Sequence, residues 1–191
     1  LHSGAGGMLV VNNKKYFDKI KIIHDKGTNR YLMNLKKIKY YSWVDIGSAF
    51  LMTELSASYL SPQIKNFKKI FQKRSKLYFR YLKLLSKINN GNFYIPSNFK
   101  YKYNFHAFVL ILEKNNREKL LKFLKKNKIN AVISYTPLHK SVAGKRFSKL
   151  KKRLVNTDNF VKKIVRLPLH DSLTSTQVNY ICEKIKKFFD N

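Results

Sequence analysis

Acidic side chains are scarce in this chain: ten Asp and Glu stand against 40 Lys and Arg over 191 residues, a formal net charge of +30. Arginine is scarce as well, seven residues beside 33 lysines. A single cysteine, Cys182, excludes an internal disulfide framework and a cysteine-ligated zinc site, and fits a reducing cytoplasm. No apolar run approaches the ~18–20 residues that a membrane helix needs. There is no Walker loop and no helix-opening G-x-G-x-x-G, and the five histidines (2, 24, 106, 139 and 170) show no metal-ligand spacing. The opening Leu1–Gly7 lacks the basic and apolar regions of a signal peptide. Beginning on Leu rather than Met, with a glycine-rich turn leading to Met8–Val11, it reads as the interior of a longer chain.

What is present argues for a folded α/β protein. The chain is 44% hydrophobic and 14% aromatic, enough to bury a core and too much for disorder. Its charge attracts polyanions. The lysines, however, are spread over every segment, and base or phosphate readout favours the planar arginine fork. Lysine together with abundant Asn, Ile, Tyr and Phe matches the codon drift of an A+T-rich genome. Nonspecific binding of RNA or another polyanion is therefore expected, without a dedicated nucleic-acid function.

Periodicity sets out the elements. Met8–Val11 reads as a buried strand, followed by a helix from about Lys14 to His24 that Asn12 or Asn13 caps, with Phe17, Ile20 and Ile23 on one face. Asp25–Arg30 begins a long loop through Trp43, and a second helix spans about Phe50 to Leu60. Ser61-Pro62 breaks it and marks the domain boundary, giving units 1–61 and 62–191. A long helix from about Gln63 to Lys87 carries an apolar stripe including Leu77, Tyr78, Tyr81 and Leu85, and Asn89–Asn92 ends it. His106–Leu112 reads as a buried strand, Arg117–Lys126 as a helix capped by Asn115 or Asn116, and Ile129–Ser134 as another strand. A basic loop, a short helix near Asp158–Val165, the extended Arg166–Leu169 and a last helix from a Ser175/Thr176 cap to Phe189 complete the chain. The order implies a sheet with helices on one face.

A series of segments in fixed order resembles one family. Ser3–Asn12, Asp25-Lys26-Gly27-Thr28-Asn29-Arg30, Tyr41–Ser48 with Phe50–Leu55, Asn104–Phe108, Tyr135–His139 with Ala143-Gly144 and Phe147, and Arg166–Leu169 are similar to the DegT/StrS nucleotide-sugar aminotransferases. These are fold-type I enzymes that use pyridoxal phosphate. The Lys-Gly-Thr-Asn-Arg and Trp-Val-Asp-Ile-Gly-Ser stretches are the specific ones, and point within the family toward the transaminases that make dTDP-4-amino-4,6-dideoxygalactose. The resemblance implies the end of the large cofactor-binding domain over 1–61 and the complete small C-terminal α/β domain over 62–191. It implies transfer of an amino group, from glutamate, to a nucleotide-linked 4-keto-6-deoxysugar by a cytoplasmic homodimer. The family's cofactor-anchoring lysine lies just upstream of the position matching Leu1, so this chain is expected to be inactive alone, with no catalytic residue of its own. The alternative is a non-enzymatic basic α/β module that binds RNA or another polyanion and retains the fold as ancestry.

By the same resemblance the loop Gly27–Phe50 reaches the cofactor phosphate of a partner subunit. Gly47 and Ser48 are then expected at a helix N-terminus, offering backbone N–H groups and a hydroxyl, with Arg30 and Asn29 adding charge and hydrogen bonds. Without the family, Ser48 reads equally as a cap and Asn29 as the end of the preceding helix. His139 and Tyr135 follow a strand in the loop expected to face the sugar; an isolated histidine is otherwise a structural residue. His106 reads as a core or interface residue. Ala49, Ala5 and Ser134 depart from polar residues that many relatives carry.

Overall fold

The computed structural model describes residues 1–96, 103–114, 116–133, 135–149 and 153–190. The chain divides into two units, Leu1–Phe67 and Lys68–Asn191.

The first unit contains three helices and extended segments, but no strand. Asn13 caps a short 3₁₀ turn, Lys14–Tyr16, by accepting from the Lys15 N–H, and the turn runs into α1, Phe17–His24. The segment expected to be a wholly open loop contains α2, Arg30–Asn34. Then comes α3, Glu54–Lys65, which starts where Thr53 accepts from the Ser56 N–H at 3.2 Å. Pro62 lies inside α3 instead of ending it. Its ring fixes a helical φ, so the helix forgoes one backbone bond and continues to Asn66, which caps it through the Pro62 carbonyl. Met8–Val11 is extended yet forms no strand: no segment among the described residues pairs with it, and Met8, Leu9 and Val10 are exposed. Within residues 1–67 only Gly27 and Thr28 are buried, so this unit closes no apolar core of its own.

The second unit does have one. Its three-stranded antiparallel sheet runs β1 (Phe93–Tyr94), β2 (Phe108–Leu112), β3 (Ile164–Leu167), with β2 central. Phe93 pairs with Leu112 and Phe108 with Leu167. Period-2 alternation buries Phe108, Leu110 and Leu112 of β2 and Val165 and Leu167 of β3. Against them lie α4 (Phe67–Ile88), α5 (Arg117–Lys126) and α8 (Ser175–Asp190), through Leu77, Tyr78, Tyr81 and Leu85, Leu120 and Leu124, and Val178, Ile181, Cys182 and Ile185. Each fully buried aliphatic side chain here contributes ~1.5–3 kcal/mol relative to exposure. The Tyr78 and Tyr81 rings each sit 4.8 Å from that of Phe108, and the Tyr81 hydroxyl donates to the Pro168 carbonyl at 3.0 Å. Arg74 of α4 donates to the carbonyls of Phe105, His106 and Leu169, satisfying backbone groups of the segments that precede β2 and follow β3.

Several elements differ from expectation. β1 lacks a long apolar run and was not foreseen. The strand expected at Ile129–Ser134 reduces to one bridge, Val132 with Arg166, and Ser134 lies outside the described residues. α6 (Val142–Phe147) sits in the expected basic loop, capped by Ser141, and α7 spans Val155–Lys163. His106 and Ala107 precede β2, and His106 is exposed, not a core residue. The cap of α8 is Thr174, one residue before the expected pair: the Gln177 N–H donates to the Thr174 hydroxyl and the Thr174 N–H to Gln177 Oε1. Asn116 precedes α5 without a side-chain cap bond, and Asn115 lies outside the described residues.

Candidate functional site

The four candidate cofactor residues occupy two loops of the first unit that are bonded backbone to backbone. The Gly27 carbonyl accepts from Val44 and Asp45 N–H at 2.8 and 3.1 Å, and Lys26 N–H donates to the Ser48 carbonyl at 3.1 Å. Asn29 adds a two-way link to Ser42: its N–H donates to the Ser42 carbonyl, and its side-chain oxygen accepts from Ser42 N–H at 2.8 Å. Gly27 has φ +76°, a conformation that favours glycine, and its α-carbon faces Asp45 and Gly47 so closely that neither glycine has room for a β-carbon. Thr28 is buried and donates its hydroxyl to the Asp25 carbonyl at 2.9 Å. These contacts bring Asn29, Arg30, Gly47 and Ser48 onto one loop pair.

They do not place Gly47-Ser48 at a helix N-terminus. α3 begins at Glu54, and the Ser48 N–H is engaged by the Ile23 carbonyl at 3.0 Å. The reason is local: Thr53-Glu54 supplies a capping hydroxyl and an acid for the first turn, which Ala49–Met52 cannot. The donors that remain include the Gly47 N–H and the Ser48 hydroxyl, which bond to no described residue, and the guanidinium of Arg30. Asn29 is not the end of α1 but the residue before α2.

Arg30 has an acidic partner that sequence reasoning missed. Its Nε lies 3.3 Å from Asp25 Oδ2, and its guanidinium stands 4.7 Å from the Tyr41 ring centroid. Asp25 Oδ1 and Arg30 Nε are both buried without a hydrogen bond, so this pair is held by charge with polar capacity to spare. A phosphate is chemically suited to that capacity on the arginine side, since the terminal nitrogens are left for a second anion.

In the second unit, His139 and Tyr135 part company. Tyr135 is 86% exposed and bonds to no described residue. His139 lies in a 3₁₀ turn, Leu138–Lys140, and its Nε2 is 3.0 Å from Asp158 Oδ1. Lys140 Nζ reaches the same oxygen at 2.8 Å, with Arg153 farther off at 3.7 Å from Oδ2. Asp158 is only 6% exposed, and the Lys140 hydrogen bond, with that of His139, holds its carboxyl below the usual 3.8 against the opposing effect of burial. Asp25 opens one of the family-like segments and Asp158 a short predicted helix, but neither is marked by the sequence as a partner for a cation. The available signal was scarcity: with ten acids beside 40 bases, an acid withdrawn from solvent is an organising centre for nearby cations.

The single cysteine lies in the core. Burial pushes the Cys182 thiol up to about 12, which leaves it protonated and inert. Among the described residues no three His, Cys, Asp or Glu gather as a metal set, and no helix is long and apolar enough to cross a membrane.

Residues 1–186 match the family model described as the DegT/DnrJ/EryC1/StrS aminotransferase family. The chain belongs to that family. A pleiotropic regulatory protein of Geobacillus stearothermophilus is 26% identical over 188 residues, covering 97% of this chain and 48% of the relative. Among solved structures, the sugar aminotransferase CalS13 of Micromonospora echinospora superposes with a TM-score of 0.82 at 15% identity, over 97% of this chain and 48% of that one. The PLP form of the putative sugar aminotransferase Spr1654 of Streptococcus pneumoniae gives 0.75 at 20% identity, over 93% and 44%. The likeness establishes the fold: mixed helix and sheet, aminotransferase-like over nearly the whole chain. The chain spans about half the length of the relatives it matches.

Proposed function

We propose that this chain forms the C-terminal half of a pyridoxal-phosphate-dependent transaminase that acts on a nucleotide-linked 4-keto-6-deoxysugar, with glutamate as amino donor. The observation that carries the reading is the family match over residues 1–186, together with coverage of only half of each relative. Residues 1–61 close the large cofactor-binding domain, 62–191 form the small domain, and the working enzyme is a cytoplasmic homodimer. Pyridoxal phosphate, when bound, supplies the electron sink for chemistry at the amino-bearing carbon. The lysine that anchors it comes from outside these 191 residues, so the chain alone is inactive.

This chain's residues act as a wall for the partner subunit's cofactor. The Ser48 hydroxyl and the terminal nitrogens of Arg30 donate to the phosphate, while Asp25 and Tyr41 fix the guanidinium in place. Asn29 holds the two loops in register through Ser42, and Gly47 permits their close approach. On the sugar side, Tyr135 presents its exposed hydroxyl, and Asp158 orients the His139 ring.

Reconstitution with a large-domain half, as a fusion or a second chain, tests this. Cofactor titration should show Ser48→Ala and Arg30→Ala weakened, Arg30 more, by roughly ten- to a hundredfold for a lost charge-assisted hydrogen bond. His139→Ala should raise KM for the sugar nucleotide and leave the cofactor spectrum unchanged. Unaltered behaviour in all three variants, or borohydride trapping of stoichiometric cofactor on one lysine of this chain alone, overturns the reading. The charge of +30 favours a second behaviour, nonspecific association with RNA or heparin that weakens steeply as salt rises. Tight, sequence-specific binding near ~0.15 M salt, where exposed charges are screened beyond ~8 Å, supports the basic-module alternative instead.

A further inference from the structure

Of the seven glycines in the sequence only Gly91 follows an asparagine, and it does so in Asn89-Asn90-Gly91-Asn92, the turn from α4 into β1. The two asparagines before it are held differently. Asn89 clamps the turn: its Nδ2 donates to the Phe93 carbonyl at 2.6 Å, and its Oδ1 accepts from the Phe93 N–H at 3.3 Å. Asn90 is exposed, and neither its side chain nor the Gly91 N–H bonds to any described residue. Gly91 sits at φ +77°, and apart from its chain neighbours no heavy atom lies within 4 Å of the place that a β-carbon would take there. The side-chain carbonyl carbon of Asn90 and the backbone nitrogen that follows it are thus both unengaged, in a turn with space to rearrange.

These are the two groups that react when an asparagine loses its amide spontaneously. The Gly91 nitrogen gives up its proton and bonds to the Asn90 side-chain carbonyl carbon. The bond from that carbon to the amide nitrogen breaks, and the nitrogen leaves with the proton as ammonia. Water then opens the five-membered imide. Opening at the side-chain carbonyl gives aspartate; opening at the backbone carbonyl gives isoaspartate, whose main chain runs through the side-chain carbons and is longer by one atom. A β-carbon on the following residue crowds the attacking nitrogen, so glycine leaves the path most open.

We propose that Asn90-Gly91 is a self-modification site, at which water converts Asn90 to aspartate and isoaspartate in the folded protein and loosens the junction of α4 with β1. Either product places a carboxylate just past the C-terminus of α4, the end of a helix at which an anion is disfavoured. Isoaspartate also lengthens the loop that Asn89 closes onto Phe93, which strains both bonds of the clamp. The chemistry is internal to the second unit and independent of the transaminase reading.

The test is to hold the full chain warm at mildly alkaline pH, sample it over time, digest with trypsin and sequence residues 88–100 by mass spectrometry. Asn90 should gain one dalton before Asn89 or Asn92 changes, in two products of equal mass that separate by chromatography. The rate should rise with pH, because the attacking nitrogen must lose its proton. Asn90→Gln, which would have to close a six-membered ring, should show no gain at residue 90 in the time that converts half of the parent. Gly91→Ala should slow conversion both in the full chain and in a synthetic peptide of residues 88–100, where an altered fold cannot be the cause. Amide-exchange protection at Phe93 should fall in step with the isoaspartate fraction. Conversion of Asn89 or Asn92 as fast as Asn90, an unchanged rate in Gly91→Ala, or an Asn90 that persists in the folded chain while the parent peptide converts overturns the proposal. Full protection at Phe93 in the isoaspartate form overturns its structural consequence.

Discussion

A β-carbon on Gly47 would overlap the Gly27 backbone, and one on Gly27 would overlap the Asp45 carbonyl. Gly27 also sits at φ +76°, where an L side chain is strained regardless of space. Gly47→Ala must therefore separate the loops that carry Arg30 and Ser48, breaking the bonds from Val44 and Asp45 to Gly27. An expected cost of ~2–3 kcal/mol follows from strain plus lost backbone bonds, read as loss of amide-exchange protection at Val44, Asp45 and Ser48; retained protection contradicts it. Asp158 offers a test by pH. Its carboxyl is held below 3.8 in the folded protein, so its contribution to stability is complete above the unfolded value and is lost as pH falls through the lower folded one. Thermal melts below about pH 4 should thus show a drop in stability that Asp158→Asn reduces, the variant being less stable than the parent at neutral pH and closer to it in acid. A constant difference across that range means that the Lys140 and His139 bonds do not supply the effect.

At the scale of elements, α8 rests on a reciprocal cap, and Thr174→Ala should destabilise the second unit by ~1 kcal/mol while Ser175→Ala does little. Chemical denaturation of the two variants separates them; equal effects would make Ser175 the working cap after all. That pair also shows why some boundaries were legible and others were not. α4, α5 and α8 announce themselves because Leu77, Tyr78, Tyr81 and Leu85, or Leu120 and Leu124, recur at helical spacing over several turns and all reach one core. β2 is legible by its unbroken apolar run. By contrast, Met8–Val11 has a strand's composition without a neighbouring edge, and composition does not report partners. The shift of the helix start from Phe50 to Glu54 has a similar cause. Small and apolar residues after Ser48 are compatible with a helix, but the cap that decides the start is Thr53, and it moves Gly47-Ser48 off the helix N-terminus. The loop pair that carries the candidate cofactor residues was visible as a segment likeness. Its internal pairing through Asn29 and Ser42, and the acid behind Arg30, depend on contacts across thirteen residues or on a half-buried ion pair that no local pattern encodes.

For the molecule as a whole, the two units differ in what holds each of them. Residues 68–190 surround a core in which Tyr81, Leu85, Phe108, Leu110, Leu112, Leu120, Leu124 and Ile185 are all inaccessible to solvent. Residues 1–67 bury no apolar side chain, and leave Met8, Trp43, Ile46 and Leu55 more than two-thirds exposed. Backbone bonds between loops hold the latter unit, and such bonds contribute only ~0.5–1.5 kcal/mol each once exchange with water is counted. Local opening should therefore be far easier there. Lysines are spread through both units, so trypsin samples each of them without a bias from site number. Limited trypsin digestion at neutral pH, followed by intact mass, should remove segments of residues 1–67 first and leave a protected product that begins near the start of α4. Fragments from the two units that emerge at equal rates would show that the first unit has cohesion its exposed apolar surface does not explain. Reconstitution with a large-domain half should slow cleavage within residues 1–67 more than at the later sites, because the first unit carries the larger share of the exposed apolar side chains among the described residues.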